Sequence, residues 1–144
     1  MWKHEAFMGR LTTHVLDTAN GVPGSEIQVD LFRIEGEESH FIKSVMTNFD
    51  GRTDSPILEG EDFVAGKYQL IFHVAPYFER KGVKLDQVPF LDDIVIRFGL
   101  NDEDAHYHVP CLPRLTVFQP TEAVDLCSNL LLASARQQQA ALHF

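Results

Sequence analysis

Short runs of alternating apolar and polar residues recur along the first 110 residues, and this period of two constrains the fold more than any other feature. In the run at 26–34, Val29 and Leu31 lie on one side of an extended chain and Gln28 and Asp30 lie on the other. Several short strands with turn clusters between them indicate an all-β protein, an antiparallel β-sandwich of two sheets. The predicted strands occupy 10–18, 26–34, 40–48, 66–75, 92–100 and 105–110.

One segment departs from the strand pattern and predicts a single short helix. It is PYFERKGV at 76–83, where Pro76 suits the first helical turn and Gly82 marks the end. The segment at 60–66 is too short for more than one helical turn. The sequence contains no internal repeat, no Gly-rich phosphate loop and no nucleophile elbow.

Charge and hydropathy limit the classes of partner. The 144 residues include 12 basic and 21 acidic side chains, a formal charge of −9. Such a surface repels phosphate backbones, so we expect no nucleic-acid partner. No run reaches the roughly 18 consecutive apolar residues of a spanning helix, so we expect no membrane partner. The first ten residues lack the apolar core of a secretory signal, which favours a cytoplasmic protein.

Three histidines and one arginine are candidates for chemistry. His14 lies within a predicted strand, and His106 and His108 share one side of another strand. Imidazole titrates near neutral pH and serves as acid or base, and the donor fork of Arg52 suits a planar ureide or carboxylate. Ordinary structural roles are more common for such residues. A zinc site made by the three histidines is a further alternative, disfavoured because no Cys, Asp or Glu stands at a matching spacing.

Six segments, in the correct order, resemble the 5-hydroxyisourate hydrolases, the enzymatic branch of the transthyretin family. The resemblance covers roughly residues 9–110 and implies a transthyretin-like sandwich of eight strands, with the helix between the fifth and sixth. It also implies a homotetramer, a dimer of dimers, with active sites in the channel between the dimers. The segments are LTTHVLDTANGVPG (11–24), NFDGRTD (48–54), FVAGKYQLIF (63–72), PYFERKGV (76–83), VPFLDDIVIRF (88–98) and HYHVP (106–110).

The resemblance assigns roles to three residues. The catalytic histidine of the T-H-V-L-D motif falls on His14, the arginine of D-G-R-T on Arg52, and the histidine before V-P on His108. His106 matches no catalytic position and is interpreted as structural. These three residues are therefore the expected catalytic and substrate-binding residues, with neither metal nor cofactor.

The reaction implied is hydrolysis of 5-hydroxyisourate to 2-oxo-4-hydroxy-4-carboxy-5-ureidoimidazoline in urate degradation, a part of purine catabolism. We hypothesise that His108, or His14 and His108 together, activates a water molecule while Arg52 orients the substrate and stabilises the oxyanion. The set of His14, Arg52 and His108 favours this hydrolase over a transthyretin-like carrier of small ligands without catalysis. A sandwich domain that serves only as an interaction module is the remaining alternative.

The C-terminus departs from the family pattern. Residues 111–144 contain no glycine, four charged residues and both cysteines, whereas the family ends in an apolar strand, a turn, a final strand and Tyr-Arg-Gly-Ser at the active site. Degenerate codons for 110–125, read from the third base of the Pro110 codon, permit fourteen residues that end in Tyr-Arg-Gly-Ser, followed by a stop. A one-base deletion at Pro110 would therefore make 111–144 an aberrant, out-of-frame tail.

Three regions are expected on this basis. Residues 1–8 form an N-terminal extension, with Met8 as an alternative start, 9–110 form the hydrolase domain without its final strand, and 111–144 form the tail. Loss of the final strand would leave an unpaired edge beside 105–110, against which residues 115–118 could pair. We expect poor or no activity from the chain as written.

Overall fold

Two β-sheets pack face to face in the computed structural model, which describes residues 9–114 and 127–129. The short helix α1 (Ala75–Arg80) follows β6, and a 3-10 turn, Gly60–Asp62, follows β5. The all-β, two-sheet sandwich with one short helix that the sequence predicts is confirmed. The first sheet contains β1 (Arg10–Asp17), β2 (Val22–Pro23), β5 (Leu58–Glu59), β8 (His106–Pro113) and β9 (Cys127–Asn129), and the second contains β3 (Gln28–Glu35), β4 (Glu38–Met46), β6 (Gly66–His73) and β7 (Asp93–Leu100).

The period of two seen in the sequence becomes the division between core and surface. Along β7 every second side chain is buried, and along β1 Leu11 and Val15 are fully buried while Thr12 and His14 face outward. Each fully buried aliphatic or aromatic side chain stabilises the fold by about 1.5–3 kcal/mol. The inward residues of both sheets form one core, to which Leu11, Val15, Val29, Leu31, Leu70, Phe72, Ile96 and Val109 belong.

One strand pair departs from the expected antiparallel pattern. The first sheet has the order β2-β1-β8-β9, with β5 also paired to β1, and β1 and β8 run parallel. Parallel neighbours need a long crossover connection. Here the chain between β1 and β8 supplies that connection by building the whole second sheet, whose order is β4-β3-β6-β7. The first and last long strands of the domain therefore lie side by side.

A buried carboxylate ties α1 to the first sheet. Asp17 is 1% exposed and accepts hydrogen bonds from the backbone N–H groups of Ala19 and Asn20 and from Asn20 Nδ2. The hydroxyl of Tyr77, on α1, donates to Asp17 Oδ2 over 2.8 Å. Burial and the neighbouring carboxylate raise the pKa of Tyr77, so the phenol stays protonated and remains a donor.

The sheet extends beyond the predicted end of the domain. Strand β8 continues past the predicted limit of 110 to Pro113, and β9 pairs antiparallel with it, Cys111 opposite Asn129 and Pro113 opposite Cys127. The proposed makeshift strand at 115–118 lies outside the described residues, as does the extension at 1–8. An out-of-frame origin for 111–144 stays a prediction. Within the described residues, no helix has the length and apolar character needed to cross a membrane.

Candidate active site

Strands β1 and β8 bring the predicted residues to the outer face of the first sheet. Their parallel register sets Thr12 beside His108 and His14 beside Pro110. His14 and His108 therefore share one face of neighbouring strands, offset by two residues. Both are partly buried, whereas the alternate residues of β1 point into the core.

A tight turn carries Arg52 to the same place. The backbone of Arg52 forms an isolated antiparallel bridge with His14, and Val15 N donates to Gly51 O over 2.8 Å. Asn48 closes the turn, because its Oδ1 accepts from the backbone N–H of Asp50 at 2.9 Å and of Arg52 at 3.1 Å. The exposed guanidinium of Arg52 thus extends from a hydrogen-bonded base.

The hydrogen bond made by His14 fixes its tautomer. Its Nε2 lies 3.0 Å from the carbonyl oxygen of Asp50, which can only accept, so Nε2 carries the proton and Nδ1 has a free lone pair. Burial and the positive charge of Arg52 lower the pKa of His14, while the hydrogen bond to Asp50 and the charge of Asp50 oppose the shift. His14 is therefore neutral at pH 7.

His108 lies in a more positive environment. Its Nδ1 lies 2.9 Å from the hydroxyl oxygen of Thr12, and no hydrogen bond within residues 9–114 occupies its Nε2. Burial lowers the pKa of His108 most, and Arg52, His14 and His106 lower it further. The interaction of His108 with both Arg52 and His14 places all three predicted residues within electrostatic reach of one another.

This arrangement suits hydrolysis of a polarised carbonyl group. Two neutral imidazoles can take a proton from water, and a guanidinium beside them can bind a planar substrate and stabilise a developing oxyanion. The described residues contain no group of three His, Cys, Asp or Glu side chains arranged to hold a metal ion.

Sequence reasoning missed two residues that support the site. Thr12 contacts His108, and Asn48 closes the turn that carries Arg52. The sequence contains a signal for Asn48, since an Asn two residues before Asp50-Gly51 is typical of a turn closed by its own side chain. The role of Thr12 needs the parallel pairing of β1 with β8, which no local pattern predicts.

Comparisons with known proteins identify the family. The sequence model described as the HIUase/Transthyretin family matches residues 11–118. This chain belongs to that family. A 5-hydroxyisourate hydrolase of Pseudomonas aeruginosa is 52% identical over 105 residues, 73% of this chain and 83% of that protein. A relative from Rhizobium meliloti, named 5-hydroxyisourate hydrolase 2, is 53% identical over 104 residues, 72% of this chain and 87% of that protein.

Several solved structures share the fold. A Klebsiella pneumoniae 5-hydroxyisourate hydrolase matches with a TM-score of 0.60 and 26% identity, over 85% of this chain and 97% of that one. An (S)-allantoin synthase matches with a TM-score of 0.72 and 36% identity, although the match spans only 43% of that longer chain. Sparus aurata transthyretin, at a TM-score of 0.70 and 20% identity over 88% of this chain and 98% of that one, supports the fold alone.

Proposed function

We propose that this chain derives from, and retains the active-site residues of, an enzyme that hydrolyses 5-hydroxyisourate. The observation that carries the proposal is the meeting of His14, Arg52 and His108 on one face of β1 and β8. Relatives about half identical over some 105 residues are named for this reaction. No observation at the site favours a carrier without catalysis.

In the proposed reaction, a water molecule attacks a ring carbonyl group of the substrate. Nε2 of His108 takes a proton as the water oxygen bonds to the carbonyl carbon. The tetrahedral intermediate then collapses, the ring C–N bond breaks and the leaving nitrogen receives a proton. His14 contributes the lone pair on Nδ1, which orients the water or the substrate.

Arg52 has two tasks in this scheme. Its guanidinium hydrogen-bonds the planar substrate, and it neutralises the charge that develops on the carbonyl oxygen in the transition state. Burial lowers the pKa values of His14 and His108 most, and the charge of Arg52 lowers them further, so Arg52 also helps to keep both imidazoles unprotonated before the reaction.

Substrate decay tests the proposal. 5-Hydroxyisourate, generated in the cuvette by oxidation of urate, decays slowly by itself, and the enzyme should accelerate the loss of its ultraviolet absorbance. We expect His14→Ala, Arg52→Ala and His108→Ala each to lower kcat/KM by roughly 100-fold or more. His40→Ala is the matched control, because His40 is exposed on β4 in the other sheet. Near-normal turnover in any of the three site variants would contradict its assignment.

The origin and the role of the C-terminus need a separate test. We propose that 111–144 are translated out of frame, so that the intact ancestor ended in Tyr-Arg-Gly-Ser. Sequencing the coding DNA across codons 108–126 tests this origin, since an additional C at Pro110 restores the family ending. We expect the restored chain to be at least 10-fold more active than the chain as written, and equal activity would contradict a role for that ending.

The proposal includes a homotetramer and a cytoplasmic location. The site lies on an outer sheet face, where a second pair of subunits could close a channel over it. Light scattering after size-exclusion chromatography measures the mass, and a monomer with full activity would contradict the tetramer. Cell fractionation followed by the decay assay tests the location.

A further inference from the structure

We propose that Thr12 and His106 form a proton relay with His108, through which the imidazole of His108 stays neutral while it acts first as base and then as acid. This inference rests on the proposed hydrolase function and extends it beyond His14, Arg52 and His108. It gives His106, which sequence reasoning interpreted as structural, a part in the reaction.

The Thr12 hydroxyl lies between the two imidazoles. Its Oγ1 is 2.9 Å from Nδ1 of His108 and 3.3 Å from Nε2 of His106. The two histidines share one face of β8 because they are two residues apart, and the register of β1 sets Thr12 directly beside His108. His106 is exposed, so the chain of contacts leads from a partly buried imidazole to solvent.

A hydroxyl group has one proton, and this fixes how the three groups are coupled. Thr12 can donate to only one imidazole and must accept from the other. When His108 donates its Nδ1 proton to Thr12, its Nε2 is free to act as a base. When Thr12 donates to His108, the proton of His108 is on Nε2 and can be given away. The two arrangements differ by a shift of one proton along each hydrogen bond.

Each half of the reaction then balances without a charged His108. As Nε2 of His108 takes a proton from water, its Nδ1 proton passes to Thr12, the hydroxyl proton passes to Nε2 of His106, and His106 releases its Nδ1 proton to solvent. As Nε2 later protonates the leaving nitrogen, the same shifts run backwards. One proton enters and one leaves the relay per turnover.

The surroundings of His108 favour this route over an imidazolium ion. Burial lowers the pKa of His108 most, and the guanidinium of Arg52, followed by His14 from β1 and His106 from its own strand, lowers it further. His106 faces Thr12 and Arg10 on β1 and is exposed to water. Burial and Arg10 lower the pKa of His106 as well, so that it too is neutral at pH 7 and readily exchanges protons with solvent.

Kinetics of two Thr12 variants test the relay. Thr12→Val keeps the side-chain shape and removes the hydroxyl, whereas Thr12→Ser keeps the hydroxyl. We expect Thr12→Val to lower kcat about 10-fold or more with little change in KM, and Thr12→Ser to restore most of it. In mixtures of H2O and D2O, kcat should vary along a curve for the unaltered chain, since several protons move together, and linearly for Thr12→Val. A linear dependence in the unaltered chain, or unchanged kcat in Thr12→Val, would overturn the relay.

His106, at the solvent-exposed end of the relay, can be tested separately. His106→Gln should lower kcat in dilute buffer, and added imidazole at constant ionic strength should restore part of it by exchanging protons with Thr12. His40→Asn, the control on the other sheet, should show neither effect. Activity of His106→Gln equal to that of the unaltered chain, or loss without rescue, would contradict a proton-transfer role for His106.

A measurement that needs no turnover separates this inference from the proposed function. The 15N chemical shifts of the histidine rings report which ring nitrogen carries the proton. We expect Thr12→Val to change the tautomer populations of both His106 and His108, and Thr12→Ser to leave them as they are. Unchanged spectra in Thr12→Val would overturn the relay even in an active enzyme. Changed spectra in a chain that shows no turnover even with the family ending restored would support the relay and contradict the hydrolase proposal.

Discussion

Replacing Gly51 by Ala should impair both stability and catalysis, because this glycine holds the turn that carries Arg52. Its φ is +78°, a left-handed conformation that costs an L-residue about 1 kcal/mol. A Cβ atom there would also collide with the carbonyl oxygen of Val15. That oxygen accepts a hydrogen bond from Gly24 N at 2.9 Å, so it cannot move aside without losing the bond.

The expected loss of stability in Gly51→Ala follows from these two costs. The backbone conformation contributes about 1 kcal/mol, and displacement of the Val15 carbonyl with its hydrogen bond contributes a further 1–2 kcal/mol, roughly 2–3 kcal/mol in all. A shift of about 1 Å in the base of Arg52 should lower kcat/KM by roughly 100-fold.

Gly36→Ala is the matched control. Gly36 has a similar φ of +64° in the turn between β3 and β4, and a Cβ there would meet nothing within 4 Å. Gly36→Ala should lower the free energy of unfolding only through the backbone conformation, by about 1 kcal/mol, and should leave the activity unchanged. Urea unfolding followed by far-ultraviolet circular dichroism measures the stability of both variants, and the substrate-decay assay measures their activity. Equal unfolding free energies and equal activities in the two variants would refute the steric argument.

Two further predictions concern groups away from the site. Burial lowers the pKa of His73, but hydrogen bonds and charge from Asp30 and Asp93 outweigh it and raise the pKa above 6.5. The stabilisation that His73 contributes is therefore fully present below pH 6.5 and is lost as the pH rises through its raised pKa. Urea unfolding at pH 5.5 and 8.5 gives the free energy of unfolding of the unaltered chain and of His73→Gln. The two free energies should differ more at pH 5.5 than at pH 8.5, by no more than about 1 kcal/mol. A larger difference at pH 8.5 would contradict this sign. Tyr77→Phe should lower the free energy of unfolding by about 1.5–3 kcal/mol, because the buried carboxylate of Asp17 loses a hydrogen-bond donor at 2.8 Å. A loss below about 0.5 kcal/mol would contradict a stabilising role for this hydrogen bond.

The parts of the fold that local patterns encode were predictable. Alternation separated the buried Val29 and Leu31 from Gln28 and Asp30, because a strand that is buried on one side exposes every second residue. Helix boundaries shifted by one to three residues, to Ala75–Arg80, since tertiary contacts and not propensity end so short a helix. The dipeptide Asp50-Gly51 is a local turn signal, because the left-handed conformation at Gly51 favours glycine.

The pairing of β1 with β8 could not be predicted from local sequence, and the candidate site depends on it. Residues 10–17 and 106–113 are far apart along the chain, and nothing in either strand specifies a parallel neighbour, since register between distant strands is set by the packing of the whole sandwich. The three motif residues could be identified one by one, but Thr12 acquires a partner only when His108 lies beside it. Residues that carry chemistry directly leave a mark in a motif, whereas residues that orient them are defined by contacts across the sheet. For that reason the roles proposed for Thr12 and His106, although both residues lie within the motif segments, follow only from the contacts that the pairing of β1 with β8 creates.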